Sequence, residues 1–151
     1  AFEAKNNNTL YASMSRKQKI SEKGNLNFKI GYGVTKSNFS NQEFFNMSDL
    51  ETSSASIGYI HSEKNSKFAL SLEAPLSISS GQANYQSVSG YDGEGNYKNS
   101  IQTIGLTPDQ RELKLSLYFD KVINKNSNYG IAASQSNSGS NNLQFIFSKT
   151  F

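Results

Sequence analysis

Apolar and polar residues alternate along much of this chain with the two-residue period of a β-strand. Residues 26–36 carry the clearest run. Leu26, Phe28, Ile30, Tyr32 and Val34 fall on one face, and Asn27, Lys29, Gly31, Gly33 and Thr35 on the other. Residues 67–74 repeat it, with Phe68, Leu70, Leu72 and Ala74 against Lys67, Ala69, Ser71 and Glu73. Residues 111–119 set Leu113, Leu115, Leu117 and Phe119 against Glu112, Lys114, Ser116 and Tyr118. The last run places Leu143, Phe145, Phe147 and Phe151 on one face, broken by Lys149. Weaker strands are expected at 9–15, 53–61 and 129–135, with a partial strand at Ala1. No helical periodicity of similar quality occurs, and a single helical turn is expected within 41–50. This reading predicts about eight strands.

The breaks between runs form two sets. Segments 137–142, 79–110 and 37–52 belong to one end, and 120–128, 62–66 and 16–25 to the other. The first set is longer on the whole, as in barrels with long external loops and short periplasmic turns. Segment 79–110 contains strand-like pieces at 82–88 and 101–106. It is expected to form a tall external hairpin tipped by Asp92, Gly93, Glu94 and Gly95, residues that favour turns.

Composition sharpens the choice. Only 35% of the residues are hydrophobic, yet 12% are aromatic and 18% charged. A soluble domain is usually nearer half apolar, and a disordered chain is poor in aromatics. A membrane barrel reconciles the two, because alternate residues face lipid while the lumen stays polar. In soluble sandwiches and lipocalin-like barrels the second face is strongly charged. Here it is small and weakly polar, as at Gly31, Gly33, Gly58, Ser71 and Ser116. The chain has no cysteine and hence no disulfide or thiolate metal site. Its basic residues are scattered, against a nucleic-acid footprint. No apolar run reaches transmembrane-helix length, which leaves barrel strands untouched. Any secretion signal is expected to lie upstream of Ala1 or to have been removed.

Two motifs carry a resemblance. One is Leu72-Glu73-Ala74-Pro75-Leu76-Ser77-Ile78-Ser79-Ser80-Gly81-Gln82-Ala83; the other is Leu106-Thr107-Pro108-Asp109-Gln110-Arg111-Glu112-Leu113-Lys114-Leu115. Together with Gly31-Tyr32-Gly33-Val34-Thr35, Thr52-Ser53-Ser54-Ala55 and the terminal aromatics, they resemble the C-terminal translocator barrel of subtilisin-like serine protease autotransporters over residues 26–151. The chain differs from that pattern at Ser77, where a basic residue is often found, and at Gln110, commonly Gly. It also lacks a Gly-His pair near the last hairpin. The resemblance implies a barrel of about a dozen strands, of which this chain would be the downstream part. It also implies an N-terminal passenger in which any protease activity would reside.

Candidate residues follow. Leu143, Phe145, Phe147 and Phe151 resemble the signal read by the barrel-assembly machinery, which can pair with an open final strand by strand addition; alternatively they only furnish an aromatic girdle. Lys29, Glu73, Glu112 and Lys114 alternate with the apolar face and are candidate lumen polar residues. Lys29, Glu73, Arg111, Glu112 and Lys114 suit either a passenger-conducting lumen or salt bridging inside a plugged barrel. His61 is the only histidine. No nucleophile motif accompanies it, so a Ser-His-Asp arrangement is not expected. The sequence from Asp92 to Asn96 lacks the spacing of a calcium loop.

The expectation is therefore one all-β domain spanning residues 1–151, an antiparallel transmembrane β-barrel in the outer membrane of a Gram-negative bacterium. It is expected to be non-enzymatic and cofactor-free. Its expected partners are outer-membrane lipid and lipopolysaccharide, the assembly machinery, and a passenger domain or neighbouring outer-membrane protein. Two other functions suit the same pattern: a stand-alone small barrel with a structural or adhesive role, and a soluble β-barrel binding a small apolar ligand.

Overall fold

A computed structural model describes residues 4–39 and 44–149. Ten strands run in chain order: β1 (Ala4–Lys19), β2 (Gly24–Phe39), β3 (Phe45–Met47), β4 (Leu50–Ser62), β5 (Ser66–Ser80), β6 (Gln82–Tyr91), β7 (Tyr97–Gly105), β8 (Lys114–Asn124), β9 (Ser127–Ser136) and β10 (Asn141–Lys149). Seven form one sheet in the order β1-β2-β4-β5-β8-β9-β10, and β3-β6-β7 form a second. The protein is all-β with antiparallel pairing throughout.

Three expectations change. The strand foreseen at 9–15 belongs to a longer one, β1, which starts at Ala4 and runs unbroken through Asn6, Asn7 and Asn8, while the partial strand foreseen at Ala1 lies mainly outside the described residues. Backbone pairing holds that stretch although no alternation marks it. The helical turn foreseen within 41–50 is replaced, in its described part, by β3. The edge of β6 recruits that segment, pairing Phe45 with Tyr85 and Met47 with Ala83. The expected barrel is present only as open sheets: the seven-stranded sheet ends on β1 and β10, each with one neighbour. With antiparallel neighbours throughout, the first and seventh strands run in the same direction. They therefore cannot close on each other by another antiparallel pair.

The fold groups into two compact units. Unit 1 comprises residues 1–12, 32–53 and 78–109; unit 2 comprises 13–31, 54–77 and 110–151. In unit 1 the hairpin foreseen at 82–88 and 101–106 is β6–β7, paired from Gln82↔Gly105 to Tyr91↔Tyr97. A bulge lies between Val88 and Gly90. Ala83 stands between Met47 and Ile104, its ladder partners on either side, and is the only buried hydrophobic residue among those described. Gly81 holds φ +157° where β5 gives way to β6, a backbone conformation that strains any other residue.

In unit 2 the turns are short. Residues 63–65 join β4 to β5, with Glu63 N–H donating to Ser66 O at 2.8 Å. Residues 125–126 join β8 to β9, and Asn126 N–H donates to Asn124 Oδ1 at 3.0 Å. Both strands at this turn extend further than the sequence pattern marked. The β9–β10 turn closes with Ser136 N–H donating to Ser140 O at 2.9 Å, and places Gly139 at φ +88°, where side chains are strained.

Candidate functional site

The registers of β5, β8, β9 and β10 sort side chains into rows, because residues directly opposite in antiparallel strands share a face. One row is Leu70–Leu117–Ala133–Leu143, the next Phe68–Phe119–Ile131–Phe145, and the third carries Lys121, Tyr129 and Phe147. Row Leu72–Leu115 leads to Gln135 and Asn141. The opposite face holds Ser71–Ser116–Ser134–Asn142 and Ala69–Tyr118–Ala132–Gln144. Two pairs of opposite charges stand across from one another on it in the ladder, Glu73 from Lys114 and Lys67 from Asp120.

Exposure is the reverse of a soluble domain's. On β5 and β8 the leucines are open while the small and polar residues between them are half-buried: Leu70, Leu72, Leu115 and Leu117 are exposed, and Ser71, Glu73, Lys114 and Ser116 are not. Phe28 and Ile30 of β2 are exposed beside the buried Gly31 and Gly33. A globular core buries its large apolar side chains. Here no large side chain is fully buried among the described residues.

Glycine permits close strand approach on the small-residue face. A Cβ on Gly33 would lie 2.8 Å from Thr52 Oγ1 and 3.0 Å from Tyr11 Cδ2; one on Gly58 would meet Ser71 Cβ at 3.4 Å. A Cβ on Gly130 would lie 2.9 Å from the Phe119 carbonyl oxygen. In unit 2 this region contains a hollow of about 460 Å³ whose lining includes Asn27, Lys29, Ser56, Ser71 and Glu73. Ser71 Oγ donates to Glu73 Oε1 at 3.0 Å. Asn27 Oδ1 is buried with no hydrogen-bond partner.

The predicted site residues thus fall in different places. Lys29 and Glu73 line the hollow, and Lys114 stands opposite Glu73 in the ladder. Glu112 lies in the irregular segment before β8, exposed, with Ser138 Oγ donating to its Oε1 at 3.4 Å. Leu143, Phe145 and Phe147 share one face of the edge strand β10, and Phe145 is 72% exposed. Phe151 lies outside the described residues. Asp92, Gly93, Glu94 and Gly95 form the β6–β7 tip, with Gly95 at φ +88°.

That tip is more organised than its glycine content suggests. The Asp92 carboxylate accepts from Glu94 N–H at 2.9 Å, Asn96 N–H at 2.7 Å and the Asn96 side-chain amide at 2.9 Å. The Asn96 side-chain bond first, then its backbone bond, holds the carboxyl below its ordinary range. Both oxygens are occupied, and no metal-holding group of acidic or histidine residues exists among the described residues. His61 shares a hydrogen bond between its Nδ1 and the Tyr59 hydroxyl (3.2 Å) and lies 3.7 Å by Nε2 from Glu63. Glu63 itself accepts from Lys23 Nζ at 3.0 Å, and Lys23 followed by His61 holds its carboxyl low.

Asn137 was not distinguishable within the Ser/Asn-rich stretch. Its Oδ1 accepts from Leu113 N–H at 2.8 Å and its Nδ2 donates to Arg111 O at 2.9 Å. It thereby clamps the irregular lead into β8. No family model, curated protein or solved structure matches this chain.

Proposed function

We propose that this chain supplies strands of an outer-membrane β-barrel that anchors an N-terminal passenger and assists its export. The observation that carries the reading is the inverted exposure of β5 and β8. Their Leu70, Leu72, Leu115 and Leu117 are exposed along one face, and small residues and charges that stand opposite one another in the ladder occupy the other. In water such rows are a liability; in hydrocarbon they are the solvent-matched surface. The seven strands run from 9 to 16 residues. A tilted strand needs about 9–11 residues to cross a bilayer.

Strand direction supports the downstream part of a larger barrel over a stand-alone one. Because β1 and β10 run the same way, antiparallel closure needs an odd number of further strands. Copies of the sheet inserted in one orientation would meet in parallel and do not meet that need. A soluble barrel binding an apolar ligand is disfavoured because the half-buried face is polar. The translocator role itself rests on the two sequence motifs and their order. Under this reading β6–β7 project outside the membrane, β10 is the strand offered to the assembly machinery, and no catalytic step belongs to this chain.

Fractionation tests the reading. Expressed with its native upstream sequence, the folded chain should sediment with outer membranes and enter solution only with detergent. Release as a folded monomer by buffer alone would overturn the membrane assignment.

A further inference from the structure

The net charge of +3 conceals a division. Unit 1 carries three basic and seven acidic residues, whereas unit 2 carries twelve basic and five acidic. Within unit 2 the excess gathers at the short-turn end. Segments 16–23, 61–67 and 120–126 hold eight basic residues against Glu22, Glu63 and Asp120. The basic side chains there are exposed, including Lys19, Lys64, Lys67, Lys121 and Lys125. Lys23 is drawn to Glu63, which also faces His61, and Asp120 accepts from Asn128 Nδ2 at 3.3 Å.

A second feature fixes what this rim meets. On the apolar face, the rows Leu70–Leu117 and Phe68–Phe119 give way directly to Lys121, Tyr129 and Phe147. An apolar band followed by aromatic rings and then ammonium groups matches the sequence of hydrocarbon, interface and headgroup in a bilayer. Ile20 and Ile123 flank the turns and are exposed as well. Lysines clustered on two- to four-residue turns repel one another in water, and anionic headgroups relieve that repulsion.

We infer that the turn end of unit 2 is a docking rim for anionic glycerophospholipid headgroups in the leaflet on the periplasmic side. This rests on the membrane reading above. The long stems of Lys64, Lys121 and Lys125 let their ammonium groups reach the phosphate plane while the strand ends stay in the interface. Each basic group near an anionic surface strengthens association about fivefold at low salt. The attraction fades within a Debye length, about 8 Å at physiological ionic strength.

The test uses the chain with its native upstream sequence, presented to vesicles of phosphatidylcholine with and without phosphatidylglycerol. Trypsin protection of β5 and β8 in neutral vesicles reads the membrane assignment alone. Vesicle association as a function of salt reads the rim. Phosphatidylglycerol should raise association, and raised salt should abolish the gain. The triple variant Lys64→Gln/Lys121→Gln/Lys125→Gln should lose about 100-fold of the gain. It should insert normally into neutral vesicles. A Lys36→Gln/Lys98→Gln control, placed in unit 1, should keep the gain. An equal response to neutral and anionic vesicles, or equal loss in the triple variant and the control, would overturn the rim. Failure of the chain with its upstream sequence to insert in any lipid would instead overturn the membrane reading.

Discussion

Replacing Leu117 by arginine puts the membrane and soluble accounts in direct conflict. Leu117 lies in the middle of three apolar rows, opposite Leu70 on β5 and Ala133 on β9, with Leu143 one strand further. If these rows face hydrocarbon, an arginine near the midplane costs about 2–4 kcal/mol. That is roughly a 30- to 700-fold shift of the folding equilibrium, or about 1–2 M in urea midpoint for a typical slope. If the rows face water, the same change at an exposed site stays within about 0.5 kcal/mol. Ser116→Arg is the internal control, because Ser116 points to the opposite face between Ser71 and Ser134. The assay is reversible urea unfolding of the chain with its native upstream sequence from phosphatidylcholine vesicles, read by strand circular dichroism. Equal midpoints for Leu117→Arg and wild type would refute the orientation drawn for these rows.

Other outcomes follow from local geometry. Gly130→Val should lower the thermal midpoint by the equivalent of about 1–3 kcal/mol, since its Cβ would crowd the Phe119 carbonyl at 2.9 Å. Gly105→Ala, with nothing within 4 Å, should be neutral in the same scan. Asn137→Ala removes its bonds to Leu113 and Arg111, each worth about 0.5–1.5 kcal/mol. Amide exchange at Leu113 should quicken without change in the β5–β8 ladder. At the hairpin tip, the lowered Asp92 carboxyl is a depressed-pKa case, so its stabilising bonds are present above the ordinary carboxylate range. They should be lost as pH falls through the folded-state value, seen as faster exchange of the Asn96 amide. Asp92→Ala should show that exchange at neutral pH.

The fold was legible where one face of a strand is consistently apolar. The runs around Phe28, Leu70 and Leu117 and the terminal aromatics marked β2, β5, β8 and β10, and on β5 and β8 their parity matches the observed exposure. The hairpin at 82–106 was also legible, because turn residues bracket its tip. Legibility failed where pairing, not patterning, decides structure. The asparagines that open β1 carry no alternation, and Phe45–Met47 is a strand because β6 offers it an edge. Open sheet edges leave no trace in periodicity, since an edge strand and an inner strand alternate alike. At the site, Lys29 and Glu73 could be placed on the polar face by parity, whereas Glu112 lies beyond the strand start, where parity loses meaning. Asn137 and Asp92 act through side-chain bonds to backbone groups, and their composition signals only a turn.

The central claim is that the exposed apolar rows face lipid. The chain has no Trp and no Cys, so single tryptophans can be introduced without background. The decisive measurement is fluorescence quenching of tryptophans placed in turn at 70, 71, 115, 116, 117 and 145, in vesicles whose acyl chains carry bromine. Strong quenching at 70, 115, 117 and 145, with little at 71 and 116, is the predicted result. Quenching that follows the opposite parity, or none at any position, would contradict it.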